Sequence, residues 1–146
     1  MNNTPAFVTL NSIEEYKQYY IDKYCKNPII TFDGIKVKFY NDQFEHSFYE
    51  SSNHIERNKD VFSWERAKRI DWIEYVLTNP YAEVHVGWDR DKKTYSKDRR
   101  VAIITPENYV VIIRLNNNGT AKYITSYLAD TPRSAREILN SPMWNA

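Results

Sequence analysis

The sequence predicts an α+β domain in which N-terminal helices precede a four-stranded antiparallel sheet. Three observations carry this. The main capped helical segments precede Pro80, the texture changes to short β-prone runs after it, and those runs are joined by short connections. Consecutive strands joined closely pair as an antiparallel meander, so the helices would cover one sheet face and leave the other available.

Each element has a local reason. In "NSIEEYKQYYIDKYC", Ser12 is followed three residues later by Glu15, a capping-box spacing that predicts a helix from Ser12 to Cys25. "PIITFDGIKVKFY" is two β-prone runs around Asp33-Gly34, a pair that tolerates positive φ and predicts a hairpin. "NDQFEHSFYE" places Phe44 and Phe48 one turn apart, predicting a short helix with His46 turned away from them. "SWERAKRIDWIEYVLTNP" predicts a single helix with Ser63 as N-cap and Asn79-Pro80 as the stop. Ile70, Ile73 and Leu77 form its inward stripe, and the same line traced back one turn reaches Arg66.

The four strands are expected in "AEVHVGWD", "RRVAIITP", "YVVIIRLN" and "TAKYITSYLA". The charged segment "DRDKKTYSKD" between the first two is expected to be a mobile loop, and "TPRSAREILN" a last helix behind Thr131. At 146 residues the chain fits one domain, 1–146, with 1–30 as an accessory N-terminal helix and 35–130 as the core.

Composition narrows the chemistry. Hydrophobic residues are 42% and charged residues 27%, which argues against disorder, and the lone Cys25 excludes an internal disulfide. No signal peptide or membrane span is evident, so a cytoplasmic protein without membrane contact is expected. The net charge of +1 is unevenly spread. Residues 1–56 hold 5 Lys/Arg against 8 Asp/Glu, whereas 57–100 hold 11 against 8, a mild basic region that permits an anionic ligand.

No metal-binding spacing occurs, and no cofactor is expected. Asp89 and Asp91 lie in a lysine-rich loop, and GxSxG, P-loop and GxGxxG patterns are absent. His46, His54 and His85 are the side chains that titrate near neutrality. Together with arginine, lysine, threonine and tyrosine they suit metal-independent RNA cleavage, in which the substrate's own 2′-OH attacks phosphorus. Such a reaction asks the protein for proton transfer and charge neutralisation. On the last strand Thr125 and Tyr127 share a face while Ser126 points to the other; read structurally, they are a β-prone threonine and a half-buried tyrosine.

The order of His46 in an early helix, then "KDVFSWERAKRIDWIEYVL", then "YVVIIRL" and "AKYITSYL" resembles phage-associated domains of the barnase, EndoU, colicin and RelE-like (BECR) nuclease superfamily over roughly residues 35–130. The resemblance implies a BECR-like fold of helices followed by a four-stranded antiparallel sheet, and an endoribonuclease acting without a metal. It further implies a toxin role, RNA such as tRNA as substrate, and an immunity or antitoxin protein as neutralising partner. It assigns catalysis to His46, Arg66, Thr125 and Tyr127, and RNA binding to Lys59 and Arg69. His46 is preferred for its place before the "RA" helix, with His54 and His85 as rivals. The alternative is a non-catalytic RNA- or protein-binding phage module, for which 12 tyrosines and 4 tryptophans supply stacking surface.

Overall fold

The computed structural model describes residues 4–50, 61–89 and 91–144. Ser12 caps helix α1 (Ile13–Tyr20), its Oγ accepting from the Glu15 N–H at 3.2 Å, and Glu14 and Glu15 complement the positive end of the helix. A single π-helical turn, Ile21–Cys25, continues it. Tyr16, Tyr20 and Tyr24 consequently line one buried side. Tyr20 is the centre of the aromatic core, with the rings of Phe39, Phe44, Phe48 and Tyr123 at centroid distances of 6.3, 5.8, 5.9 and 6.5 Å.

Strands β1 (Ile29–Ile30) and β2 (Lys36–Lys38) form the hairpin around Asp33-Gly34, with Gly34 at φ 92°, where a side chain would be strained. Helix α2 (Gln43–Phe48) buries Phe44 and Phe48 and exposes His46, as the one-turn spacing requires. Short strands β3 (Tyr49–Glu50) and β4 (Val61–Phe62) pair with each other. Residues 51–60, with His54 and Lys59, lie outside the described part.

The single helix expected from Ser63 to Asn79 is two helices, α3 (Trp64–Ala67) and α4 (Ile70–Leu77). The cause is a diverted backbone bond. The Lys68 carbonyl accepts from the Val8 N–H at 2.8 Å, and the Trp72 N–H donates instead to the Arg69 carbonyl at 2.8 Å. The extended N-terminal segment thus breaks the helix, held in place by Phe7 stacked on Trp72 and the Trp72 indole donating to the Pro5 carbonyl. Tyr24 reaches α4 from the other side. Its hydroxyl donates to the Ile70 carbonyl at 2.6 Å and accepts from the Glu74 N–H at 3.2 Å, entering the helical ladder.

Strands β5 (Glu83–Asp89), β6 (Thr94–Ile104), β7 (Tyr109–Leu115) and β8 (Thr120–Leu128) pair in sequence as an antiparallel meander, and α5 (Pro132–Leu139) follows behind the Thr131 cap. The complete sheet is larger than the four-stranded antiparallel sheet expected, and the BECR-like architecture is thereby corrected. Among the described residues there are five helices, a two-stranded sheet and a six-stranded mixed sheet of order β1-β2-β8-β7-β6-β5. Strand β2 lies parallel to β8, with Val37 opposite Ala121. Without it β8 would be an exposed edge of unpaired N–H and C=O groups; the hairpin fills that edge and buries Val37. The expected loop in "DRDKKTYSKD" is also corrected. Thr94–Asp98 belongs to β6, and Gly87, Trp88 and Asp89 of β5 pair with Ser96, Tyr95 and Thr94.

Both sheet faces carry packing. The first faces α1, α2 and α4 through Ala102, Ile104, Tyr109, Val111, Ile113 and Tyr123. The second meets α5 through Val101, Ile103, Val110 and Ile112, with Ile124 and Tyr127 packed alongside. The hairpin turn is clamped beneath the sheet by Arg100, 2% exposed, whose guanidinium makes a two-pronged contact with Asp33 at 2.8 and 3.0 Å.

Asp33→Ala is expected to lower stability by about 3 kcal/mol in urea unfolding, because it leaves a buried guanidinium uncompensated. Burial pushes the Asp33 carboxyl up, but hydrogen bonds from Arg100 and Thr31 outweigh it and hold the group below its usual range. A lowered folded value stabilises above the unfolded value of about 4 and is lost as pH falls through the folded one. Below about pH 4 the wild type should therefore lose stability more steeply than Asp33→Asn; parallel slopes would contradict the clamp.

Candidate functional site

Strand β8 does not keep a strict two-residue alternation. Its register against β7 shifts between Ile112, opposite Thr125, and Ile113, opposite Tyr123, so Ile124 is an extra residue. The bulge puts Tyr123 and Ser126, three apart, on the helix-covered face, and leaves Thr125 and Tyr127 on the other. Gln43 of α2 donates to the carbonyl of Ile124 at 2.6 Å, holding the bulge to the helix. The Tyr123 hydroxyl bridges Ser47 of α2 and Ser126, the latter at 2.8 Å. Burial pushes Tyr123 up to about 12, with Ser126, Ser47 and the Arg66 charge pulling the other way, so the phenol stays neutral at ordinary pH.

This junction places Arg66. The guanidinium donates from Nη1 to the Ser47 carbonyl at 3.1 Å, stands 5.8 Å from the centre of the Tyr127 ring, and leaves Nη2 3.7 Å from Glu50. Its helix α3 starts at Ser63, whose Oγ accepts from the Arg66 N–H at 3.2 Å and whose own N–H donates to the Phe48 carbonyl at 2.8 Å. The helix break at Lys68 brings Arg69 to the same place. Its Nη1 donates to the Glu65 carbonyl at 2.7 Å and to the Glu65 carboxylate at 3.2 Å, while its plane stands over Phe7 and Trp72.

Arg66, Arg69, Tyr127 and Tyr109 line one cleft of about 390 Å³. Ser63, Glu50 and Glu65 border it on one side, and Asp130 with Ser134 at the start of α5 on the other. Two buried polar atoms of the lining residues, Arg69 Nε and Tyr109 Oη, have no hydrogen-bond partner among the described residues. The Ser126 hydroxyl approaches Tyr109 without hydrogen-bonding geometry. Burial raises the Tyr109 phenol far above its ordinary value, against the pull of Arg69 and Arg66, which keeps it an O–H donor. Arg69 Nε and Tyr109 Oη both lie beneath the cleft surface; the groups that reach it belong to the side chains of Arg66, 20% exposed, and Arg69, 12% exposed, whose guanidinium N–H groups are the complement of an anionic oxygen.

Two of the carboxylates at the cleft, Glu65 and Glu50, are held differently. Lys68 and Arg69 hold the Glu65 carboxyl below its usual range by hydrogen bonds, so that acid is committed to them. Glu50 touches Arg66 only at 3.7 Å, leaving the guanidinium able to exchange this contact for a ligand oxygen.

The structure therefore brings Arg66, Arg69 and Tyr127 together. Thr125 shares the Tyr127 face, and its buried Oγ1 has no partner among the described residues, but it is not part of the cleft lining. His46 stands on the exposed flank of α2, one residue before the carbonyl that anchors Arg66, and does not line the cleft. His85 is fully buried in β5 between the Ser141 carbonyl at 3.0 Å and the Glu83 carboxylate at 3.1 Å. Its two partners are both acceptors, which fits a structural tie between β5 and the chain after α5.

Tyr109, Ser63, Glu50 and Ser134 were not selected from the sequence. Tyr109 enters the cleft only through its pairing opposite Leu128, next to Tyr127, a register no local pattern encodes. Among the described residues no cluster of His, Cys, Asp and Glu could hold a metal, and no helix is long and apolar enough to cross a membrane. Compared with protein-family models, curated proteins and solved structures, the chain has no significant match.

Tyr123→Phe should cost about 2 kcal/mol in urea unfolding, since it strips Ser47 and Ser126 of their shared partner in a buried site. A change under about 0.5 kcal/mol would show that the two serines are satisfied without it.

Proposed function

We propose that the chain is a metal-independent endoribonuclease that holds the scissile phosphate of RNA against Arg66, Arg69 and Tyr127. The observation that carries this reading is the convergence, in one cleft, of two arginines and two tyrosines, with Arg66 held only by a backbone carbonyl and a 3.7 Å contact to Glu50. A phosphodiester offers these donors two non-bridging oxygens. Charge on those oxygens grows as the 2′-oxygen attacks phosphorus, so fixed donors stabilise the transition state more than the ground state.

In this reading the 2′-OH loses its proton and closes on phosphorus, and the departing 5′-oxygen takes one up. The products are a 2′,3′-cyclic phosphate and a 5′-hydroxyl. Arg66 and Arg69 neutralise the phosphorane, and Tyr127 supports the Arg66 plane. Proton transfer falls to Glu50, which borders the cleft, or to His46 on the exposed flank of α2 next to it. Thr125 acts behind Tyr127 as a positioning group. A toxin role, with tRNA as target and an immunity protein as partner, is the biological setting this activity fits.

A second reading has its own observation. Because His46 is outside the cleft lining, the same arginines suit a module that binds RNA without cutting it.

Purified protein incubated with total tRNA in EDTA separates the two. The nuclease reading predicts fragments ending in 2′,3′-cyclic phosphate, with Arg66→Ala slower by about 10²- to 10³-fold and Glu50→Gln and His46→Ala dividing the proton-transfer role by their pH profiles. RNA left intact but retarded in a gel would sink the nuclease reading and favour the binding module. Cleavage by Arg66→Ala at the wild-type rate would remove the cleft from the reaction.

A further inference from the structure

On the second sheet face, the residues packed with α5 are Val101, Ile103, Val110 and Ile112, with Ile124 and Tyr127. Below α5, one row of side chains crosses four adjacent strands. Lys38 of β2 is the register partner of Lys122 of β8, Lys122 is the partner of Arg114 of β7, and Arg114 is the partner of Arg99 of β6. Residues opposed in register share a face, so the four cations form a continuous ridge about 14 Å long at the usual strand spacing. Lys36 adds a fifth, two residues before Lys38 on the same face.

Four like charges placed side by side repel one another, and a sheet tolerates this at a cost that an anion would relieve. Their neutralisation within the fold is slight. Arg114, 61% exposed, has Asp98 at 3.9 Å, and among the described residues no carboxylate lies within ion-pair distance of Lys36, Lys38, Lys122 or Arg99. The chain as a whole carries a net charge of only +1, so the ridge is a local concentration and not a reflection of a basic protein.

Two further features shape it for an elongated ligand. Gly87 of β5 ends the row, and a Cβ there would lie 2.6 Å from Arg99 Cγ, so the glycine is what lets the arginine lie flat across the outer strand. At the other end Lys122 Nζ stands 5.4 Å from the centre of the Tyr40 ring, an aromatic that is 46% exposed.

We infer that this ridge is a binding track for single-stranded RNA, with phosphates on Lys38, Lys122, Arg114 and Arg99 and a base stacked on Tyr40. Strand β8 joins it to the cleft, Lys122 and Tyr127 lying on the same face about 15 Å apart. The assignment of RNA as the polyanion rests on the function proposed above; the ridge itself rests on strand register.

The test is the salt dependence of binding to a fluorescein-labelled single-stranded RNA 12-mer, read by anisotropy between 50 and 200 mM salt. The triple variant Lys38→Ala/Arg114→Ala/Lys122→Ala is expected to bind at least tenfold more weakly at 50 mM. Its log Kd against log salt slope should fall by about 2, the loss of three phosphate contacts on a single strand, whereas Arg66→Ala should lose about 0.7. Lys38→Arg/Lys122→Arg, which keeps the charges, should retain the wild-type slope, and thermal melts verify that each variant is folded. A triple variant with the wild-type affinity and slope would overturn the track, as would wild type that binds phosphatidylserine vesicles but not the RNA. Failure of wild type to cut RNA with the slope change intact would overturn the nuclease reading and leave the track standing.

Discussion

The hydroxyl of Tyr123, shared between Ser47 and Ser126, is the contact on which the rest of the structure turns. It fastens α2 to the last strand at the one place where that strand departs from regular pairing, and Gln43 completes the attachment by taking the freed Ile124 carbonyl. With α2 fixed, the Ser47 carbonyl becomes a rigid acceptor for Arg66, and the guanidinium is set beside Tyr127. The bulge has a second effect. It turns Thr125 and Tyr127 to the opposite face from Tyr123 and Ser126, so a single strand serves the core and the cleft at once. Such a buried polar junction tolerates little change, because each hydroxyl left unpaired in the interior carries its full desolvation penalty.

A second constraint comes from outside the sheet. The N-terminal segment takes the Lys68 carbonyl out of the helical ladder, and the resulting break is what brings Arg69 alongside Arg66 in place of carrying it on along α4. The stacked Phe7 and Trp72 rings then cover the region, with Lys68 Nζ 4.6 Å and Arg69 4.9 Å from the Phe7 ring. The cleft is therefore assembled from three distant parts of the chain: the N-terminal segment, the α2 to α3 region, and the β7–β8 pair. Its arginines keep donors in reserve because their nearest acceptors are backbone carbonyls and acids at the rim.

Much of the local structure was legible in the sequence, and the reasons are local. Ser12, Ser63 and Thr131 cap helices through contacts three residues long, and Asp33-Gly34 makes its turn from its own φ preference. The separation of Ser126 from Thr125 and Tyr127 also follows from alternation, since no bulge intervenes between them. What could not be read were the long-range events. Pairing of Lys36–Lys38 with Thr120–Lys122 makes the sheet six-stranded and mixed, and the three residues of β2 carry no signal of which edge they will fill. The break in the α3–α4 segment depends on Val8, some sixty residues away in sequence. The charged stretch before Arg99 reads as a loop by composition yet extends β6, because Gly87–Asp89 of β5 offers it an edge. Of the residues chosen for chemistry, Arg66, Arg69 and Tyr127 meet in the cleft and His46 and Thr125 stand beside it, while Tyr109 was invisible until register put it there.

The central claim is that the two arginines of this cleft receive a phosphodiester. Its most direct test is side-chain NMR of the ¹⁵N-labelled arginines during titration with a 2′-deoxy-substituted RNA trinucleotide that binds but cannot be cleaved. The account predicts that the guanidinium resonances of Arg66 and Arg69 move downfield together, at the same ligand concentration. Saturable binding of the trinucleotide that leaves the Arg66 and Arg69 resonances where they were would contradict it.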